Sequence, residues 1–277
     1  MTWLRALPAN RRRGSCPRCL LLLDGDRKAV AERLTGIIGM PNVTVTAQDI
    51  WMPQGLPMRT LDGAWDKDPC REAKLGEAEG LLSAEDRVAV TKWWLVVPKM
   101  ANTPNWDIAS TCSINGTRGL LLVEAKAHDM ELRREAASKR LKADASENSR
   151  RNHEKIGRCI DGACRVFSRE TKLSWNISRD RNYQMSNRFA WACKLTELGY
   201  AVVLVYLGFL SATEMTDRGK PLASGDEWTQ VVKAHSEGLV PAEAWNQAWT
   251  VHGHPFLPLI RSTRVDLPAA ASCGDLP

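Results

Sequence analysis

The stretch NWDIASTCSINGTRGLLLVEAKAH, residues 105–128, decides how this chain is read. Two strand-like segments flank Asn115-Gly116, a pair suited to a two-residue type I′ turn because both central positions there need positive φ. With those two residues as the loop, Ile114 pairs with Thr117. Counting outward from the turn, Asp107 then lies directly opposite Glu124, with Cβ atoms about 4.5–5.5 Å apart. Period-two alternation adds Lys126 to the same face and His128 beyond it. Like charges so placed repel each other unless something positive lies between them. A divalent cation held by Asp107 and Glu124, with the Lys126 ammonium one pleat away, meets that need. Such a cation polarises a phosphate and lowers the pKa of a bound water, while the ammonium orients that water or stabilises charge on phosphorus. Hard oxygen ligands with room for water suit Mg²⁺ or Mn²⁺.

Two other readings stay open at this level. A four-residue loop over residues 115–118 shifts the register and separates the two acids. An acid-base alternation is also common on a solvated sheet face. The apolar run Leu120–Val123 favours a strand covered on both faces, with Glu124 and Lys126 at the rim of a pocket.

Upstream of the hairpin, residues 71–82 (REAKLGEAEGLL) read as a helix. Residues 83–97 (SAEDRVAVTKWWLVV) read as another, opened by Ser83 and Asp86 at capping-box spacing and stopped by Pro98. Val88, Thr91 and Leu95 are the expected buried face. Downstream, residues 129–151 are polar and predict a solvated helix or a mobile connection. Residues 152–170 carry Ile156, Ile160, Ala163 and Phe167 at helical spacing, and residues 186–199 predict a second helix with Gly199 as its C′ residue. YAVVLVYLGFL, residues 200–210, predicts a strand buried on both faces. Beyond it, residues 225–238 and 241–253 are expected as helical pieces leading to an extended, proline-bearing end.

This order predicts an α/β fold, a central mixed β-sheet flanked by helices, with N- and C-terminal extensions. Residues 1–40 read as an N-terminal extension, with disorder open and one helix at 26–39. Residues 41–265 read as one α/β domain, in which 41–70 is irregular cover with a short strand at 42–47. Residues 266–277 read as a tail.

At 277 residues with 44% hydrophobic and 25% charged side chains, the chain has globular composition. The net charge of +6 allows a polyanionic partner without requiring one. The basic run Arg11-Arg12-Arg13 reads as a flexible tail ahead of a nucleic-acid arm. Most of the 11 tryptophans are expected in or near the core. The eight cysteines are scattered, several of them in apolar segments, and Cys16-Pro-Arg-Cys19 lacks the second pair a zinc site needs. No signal peptide or run of roughly 20 apolar residues is seen, so a cytoplasmic location without membrane contact is expected. Dinucleotide, Walker, nucleophile-elbow and H-E-x-x-H motifs are all missing.

Asp107 followed by Glu124-Ala-Lys126 resembles the PD-(D/E)xK motif of restriction-endonuclease-like nucleases. The resemblance spans about residues 72–210. Pro104 stands three residues ahead of Asp107 rather than beside it, a departure from the literal motif. The resemblance implies a mixed sheet flanked by helices and cleavage of DNA or RNA with a divalent metal. It also implies a further carboxylate from upstream, for which Glu77 is taken ahead of Glu79 and Glu85, and a glutamine after Glu-x-Lys, for which Gln184 serves. Arg181 and Arg188 are placed with Gln184 as nucleic-acid contacts, near Arg179. The expected activity is that of a metal-dependent nuclease. The alternative is an inactive nucleic-acid-binding or protein-interaction module on the same fold, with tryptophans of residues 242–249 exposed for partner contacts.

Overall fold

A computed structural model describes residues 3–98, 103–135 and 140–268. The centre is a mixed sheet of seven strands. They are β1 (Val43–Thr44), β2 (Trp51–Met52), β3 (Ile108–Ile114), β4 (Thr117–Lys126), β5 (Ala201–Phe209), β6 (Trp249–Val251) and β7 (His254–Thr263). The spatial order is β1–β3–β4–β5–β7–β6, with β2 also pairing β3. β4, β5 and β7 run parallel, and antiparallel neighbours flank them on both sides. All nine residues of β5 are buried, as its unbroken apolar run requires between two parallel partners.

The β3–β4 hairpin has the two-residue loop. Ile114 pairs with Thr117 and Ile108 with Val123. Asn115 and Gly116 have φ of 51° and 77°, the left-handed values a type I′ turn demands.

Alternation then divides the core. Leu120 and Leu122 of β4 face one apolar cluster, while Leu121, Val123 and Ala125 face another on the opposite side of the sheet. The first cluster is covered by α3 (Ala84–Trp94), α5 (Glu147–Thr171), α6 (Tyr183–Glu197) and α7 (Gly225–Ser236). The second is covered by α1 (Ser15–Leu22) and α2 (Arg27–Ile38). A short α4 (Asp129–Glu135) follows β4. Glu124 and Lys126, being even-numbered, project on the α5–α6 side.

Local signals held where they rested on caps and turns. The Ser83 hydroxyl accepts the Asp86 N–H at 3.0 Å and opens α3, a cap of about 1 kcal/mol. Gly199, with φ of 93°, follows the end of α6. They failed where strand pairing overrode periodicity. Residues 71–82 are not a helix. Ala73–Lys74 pairs antiparallel with Asn105–Trp106, and turns follow. Residues 242–249 hold only one 3₁₀ turn before β6, and Trp245 is buried, so no tryptophan-bearing helix stands exposed for a partner. In α3 the buried face is Val90 and Trp94, while Val88 is 52% exposed. Trp94 meets Trp191 of α6 edge-on at 5.8 Å, and that contact sets the rotation of the helix.

The described residues 3–40 pack against the rest of the fold. They contribute two helices, and Leu22, Val30, Leu34 and Ile38 are part of the core. Arg18, 2% exposed, holds Glu214 through two nitrogens at 2.5 and 2.9 Å. The basic run lies against the protein as well: Arg11 pairs with Glu72, Arg12 with backbone carbonyls, and Arg13 with Asp217. Of the expected C-terminal tail, residues 269–277 lie outside the described residues. No described helix is long and apolar enough to cross a membrane.

Candidate active site

Where the β3–β4 ladder ends at Ile108–Val123, the chain changes partner, and Trp106 pairs with Ala73 instead. Asp107 occupies that switch. Its Oδ2 accepts the Ala125 N–H at 2.8 Å, which draws the carboxyl across β4 toward Glu124. The two acids and Lys126 line one cavity of about 550 Å³, together with Gln184 and Arg188 from α6.

Glu124 is 1% exposed and is held from three directions. Oε1 accepts from the Lys126 ammonium and from the Gln184 amide at 2.7 Å, and Oε2 accepts from Arg188 Nε at 2.5 Å. Gln184 and Arg188 stand four residues apart on α6 and so share a face. Arg188 also donates to the Asn105 carbonyl at 2.6 Å and stacks on the Trp106 ring at 4.5 Å. One guanidinium thus ties Glu124 to the strand that leads into Asp107.

The electrostatics of the two acids diverge. Burial pushes the Glu124 carboxyl up, but Arg188 and then Lys126 outweigh it and hold the group below its ordinary range. On the favourable side Asp107 has chiefly Lys126 and the Ala125 N–H. Burial first, and the Glu124 charge second, push it up to about 8. At neutral pH Asp107 keeps its proton unless more positive charge arrives. That is the repulsion expected of opposed carboxylates, resolved by protonating one of them.

The other candidate residues fall elsewhere. Glu77 is exposed on a turn, 3.6 Å from Lys74, and does not line this cavity. The carboxylate at the rim is Glu72. It binds Arg11 at 2.5 Å and the Asn105 amide at 3.1 Å. Glu77 was chosen as part of a helix that does not form. Arg188 is 5% exposed and bound to Glu124, so it enters the cavity wall chiefly as the partner of that carboxylate. Arg181 is exposed and outside the cavity wall. Arg179 is spent on the His153 carbonyl at 3.1 Å. His128, 1% exposed, lies 3.7 Å from Glu131 and away from the cavity.

The cavity wall also holds residues with no place in the sequence reading, among them Glu72, Lys74, Asn105 and Ser15 of α1. Glu72 and Asn105 meet through a two-residue ladder between distant segments, which no local pattern announces. The four-residue spacing puts Arg188 on the same face of α6 as Gln184, but that this face meets Glu124 is set by tertiary packing.

Among the described residues, no group of three or more His, Cys, Asp and Glu side chains converges as a metal site. The Cys16 thiol instead accepts from Arg11 Nε at 3.1 Å, and Cys19 is buried. A hard cation in this cavity would therefore rest on Asp107 and Glu124, with water or substrate oxygens completing it. Mg²⁺ commonly binds in that way, through one or two carboxylates plus phosphate. The donor set fits, since Asp107 needs added positive charge to ionise.

No protein-family model, curated protein or solved structure matches this chain.

Proposed function

We propose that the protein is a metal-dependent nuclease on a restriction-endonuclease-like core. The carrying observation is convergence: Asp107, from the break just before β3, reaches one cavity with Glu124 of β4, Lys126 projects one pleat further, and α6 supplies Gln184. A Mg²⁺ or Mn²⁺ ion held by the two carboxylates supplies Lewis acidity and offsets the charge of a phosphodiester. Asp107 would hold such an ion in its ionised form, beside the ionised Glu124. Arg188 fixes the orientation of Glu124. The Lys126 ammonium stabilises charge on the phosphate oxygens as a water adds to phosphorus and the bond to the departing oxygen breaks. Gln184, freed from Glu124 Oε1, donates to the water or to the phosphate.

A second reading, a nucleic-acid-binding module without catalysis, draws on one fact: Glu124 is fully satisfied by Lys126, Gln184 and Arg188 without any cation. Calorimetric titration of Mn²⁺ into the wild type and Glu124→Gln, paired with an oligonucleotide cleavage assay, separates the two. Binding and cleavage in the wild type, both lost in the variant, support the nuclease. Oligonucleotide binding that tolerates chelator, with no cleavage, supports the module.

A further inference from the structure

The longest helix among the described residues, α5, carries a set of exposed basic side chains. Along its outer side stand Arg150, Arg151, Arg158, Arg165, Arg169 and the capping Lys172, all exposed, against Glu147, Glu154 and Asp161. Arg151, Arg158 and Arg165 repeat every seven residues within the helix, and Lys172 follows at its left-handed C-cap, off the helical line. On an α-helix that repeat gives one nearly straight line that drifts only about 20° per step. At 1.5 Å per residue, neighbours are about 10 Å apart and the three arginines span about 20 Å. None of these four forms an ion pair with a carboxylate among the described residues, whereas Arg169 does, with Glu170 at 2.5 Å.

The start of α5 is tied to two neighbouring segments. The Asn152 amide oxygen, next to Arg151, accepts the Val96 and Val97 N–H groups at 2.9 Å, anchoring the end of the α3 segment. The His153 carbonyl, two residues after Arg151, accepts from Arg179, whose segment leads into the cavity-lining Tyr183 and Gln184. The opposite side of α5, with Ile156, Ile160 and Phe167, is buried. The cations therefore stand on a rigid support.

We infer that Arg151, Arg158 and Arg165, with Lys172 at the helix end, form a track for a nucleic-acid phosphate backbone that delivers the strand to the Asp107–Glu124 cavity. The track rests on the nucleic-acid reading of that cavity but not on its catalysis. Guanidinium groups suit it, since each meets two phosphate oxygens through parallel N–H donors.

The test is fluorescence anisotropy in chelator, with labelled single-stranded and duplex oligonucleotides as probes and affinity measured across a salt series. Each lost phosphate contact lowers the slope of log affinity against log salt by about 0.9 for duplex or about 0.7 for single strands. Arg158→Gln/Arg165→Gln is thus expected to lower it by about 1.4–1.8, with an unchanged melting temperature because both residues are exposed. Whichever probe shows that loss names the form bound. The control Lys28→Gln/Arg264→Gln, distant in the fold, is expected to leave the slope unchanged. An unchanged slope in the α5 variant, or an equal fall in the control, overturns the track and leaves the cavity reading standing. No binding of either probe by the wild type overturns both.

Discussion

The protonated Asp107 makes a prediction whose sign follows from linkage. Its carboxyl is raised to about 8 in the folded protein by burial and by Glu124; in the unfolded chain it returns to about 3.9. Between those values the folded state holds one proton more than the unfolded state. Stability from this group is therefore fully present below about pH 4 and is lost as pH rises toward 8, at up to about 1.4 kcal/mol per pH unit. From about pH 5 to pH 8 the loss comes to about 4 kcal/mol at most, for a group that opens onto a cavity and is partly relieved by its water. Asp107→Asn keeps the size of the side chain and an oxygen for the Ala125 N–H, but does not titrate. Urea unfolding of both proteins across that range is the assay, read as variant minus wild type so that all other titrations cancel. The difference should grow with pH in favour of the variant. Saturating Mg²⁺ should flatten it by stabilising ionised Asp107 in the wild type alone. Parallel pH profiles without metal would refute the opposed-carboxylate geometry itself, whatever the activity.

Arg188→Met leaves the buried Glu124 carboxylate with only Lys126 and Gln184 as partners and is expected to cost at most about 3–5 kcal/mol in urea unfolding. The double variant with Glu124→Gln should recover a large part of that, and an additive result would show that the pair does not act as one. Gly208, beside Lys126 in the β4–β5 ladder, lies under Trp228, whose ring a new Cβ would meet at 2.6 Å. Gly208→Ala is accordingly expected to lose about 1–3 kcal/mol in thermal unfolding, and a neutral result would mean the indole moves freely. Gly116, at φ of 77°, faces open space, so Gly116→Val should cost only the backbone strain of about 1–2 kcal/mol. A larger loss would point to a register that depends on more than the turn.

What the sequence by itself determined is what short-range chemistry controls. Asn115-Gly116 selects one turn, the turn selects one register, and the register puts Asp107, Glu124 and Lys126 on one face. The apolar run of 200–210 likewise had to be an inner strand, because no half-exposed strand hides nine consecutive residues. The same local reasoning mistook residues 71–82 for a helix, since helical spacing there competes with a ladder to Asn105–Trp106 that lies outside any local window. It also set aside the first forty residues, whose apolar stripe makes sense only against the far face of the sheet. Only the tertiary structure decided that Glu72 rather than Glu77 reaches the rim, and that Arg188 is consumed by Glu124. Burial raises the cost of an unpaired charge, so the fold brought a cation to Glu124 and left Asp107 to keep its proton.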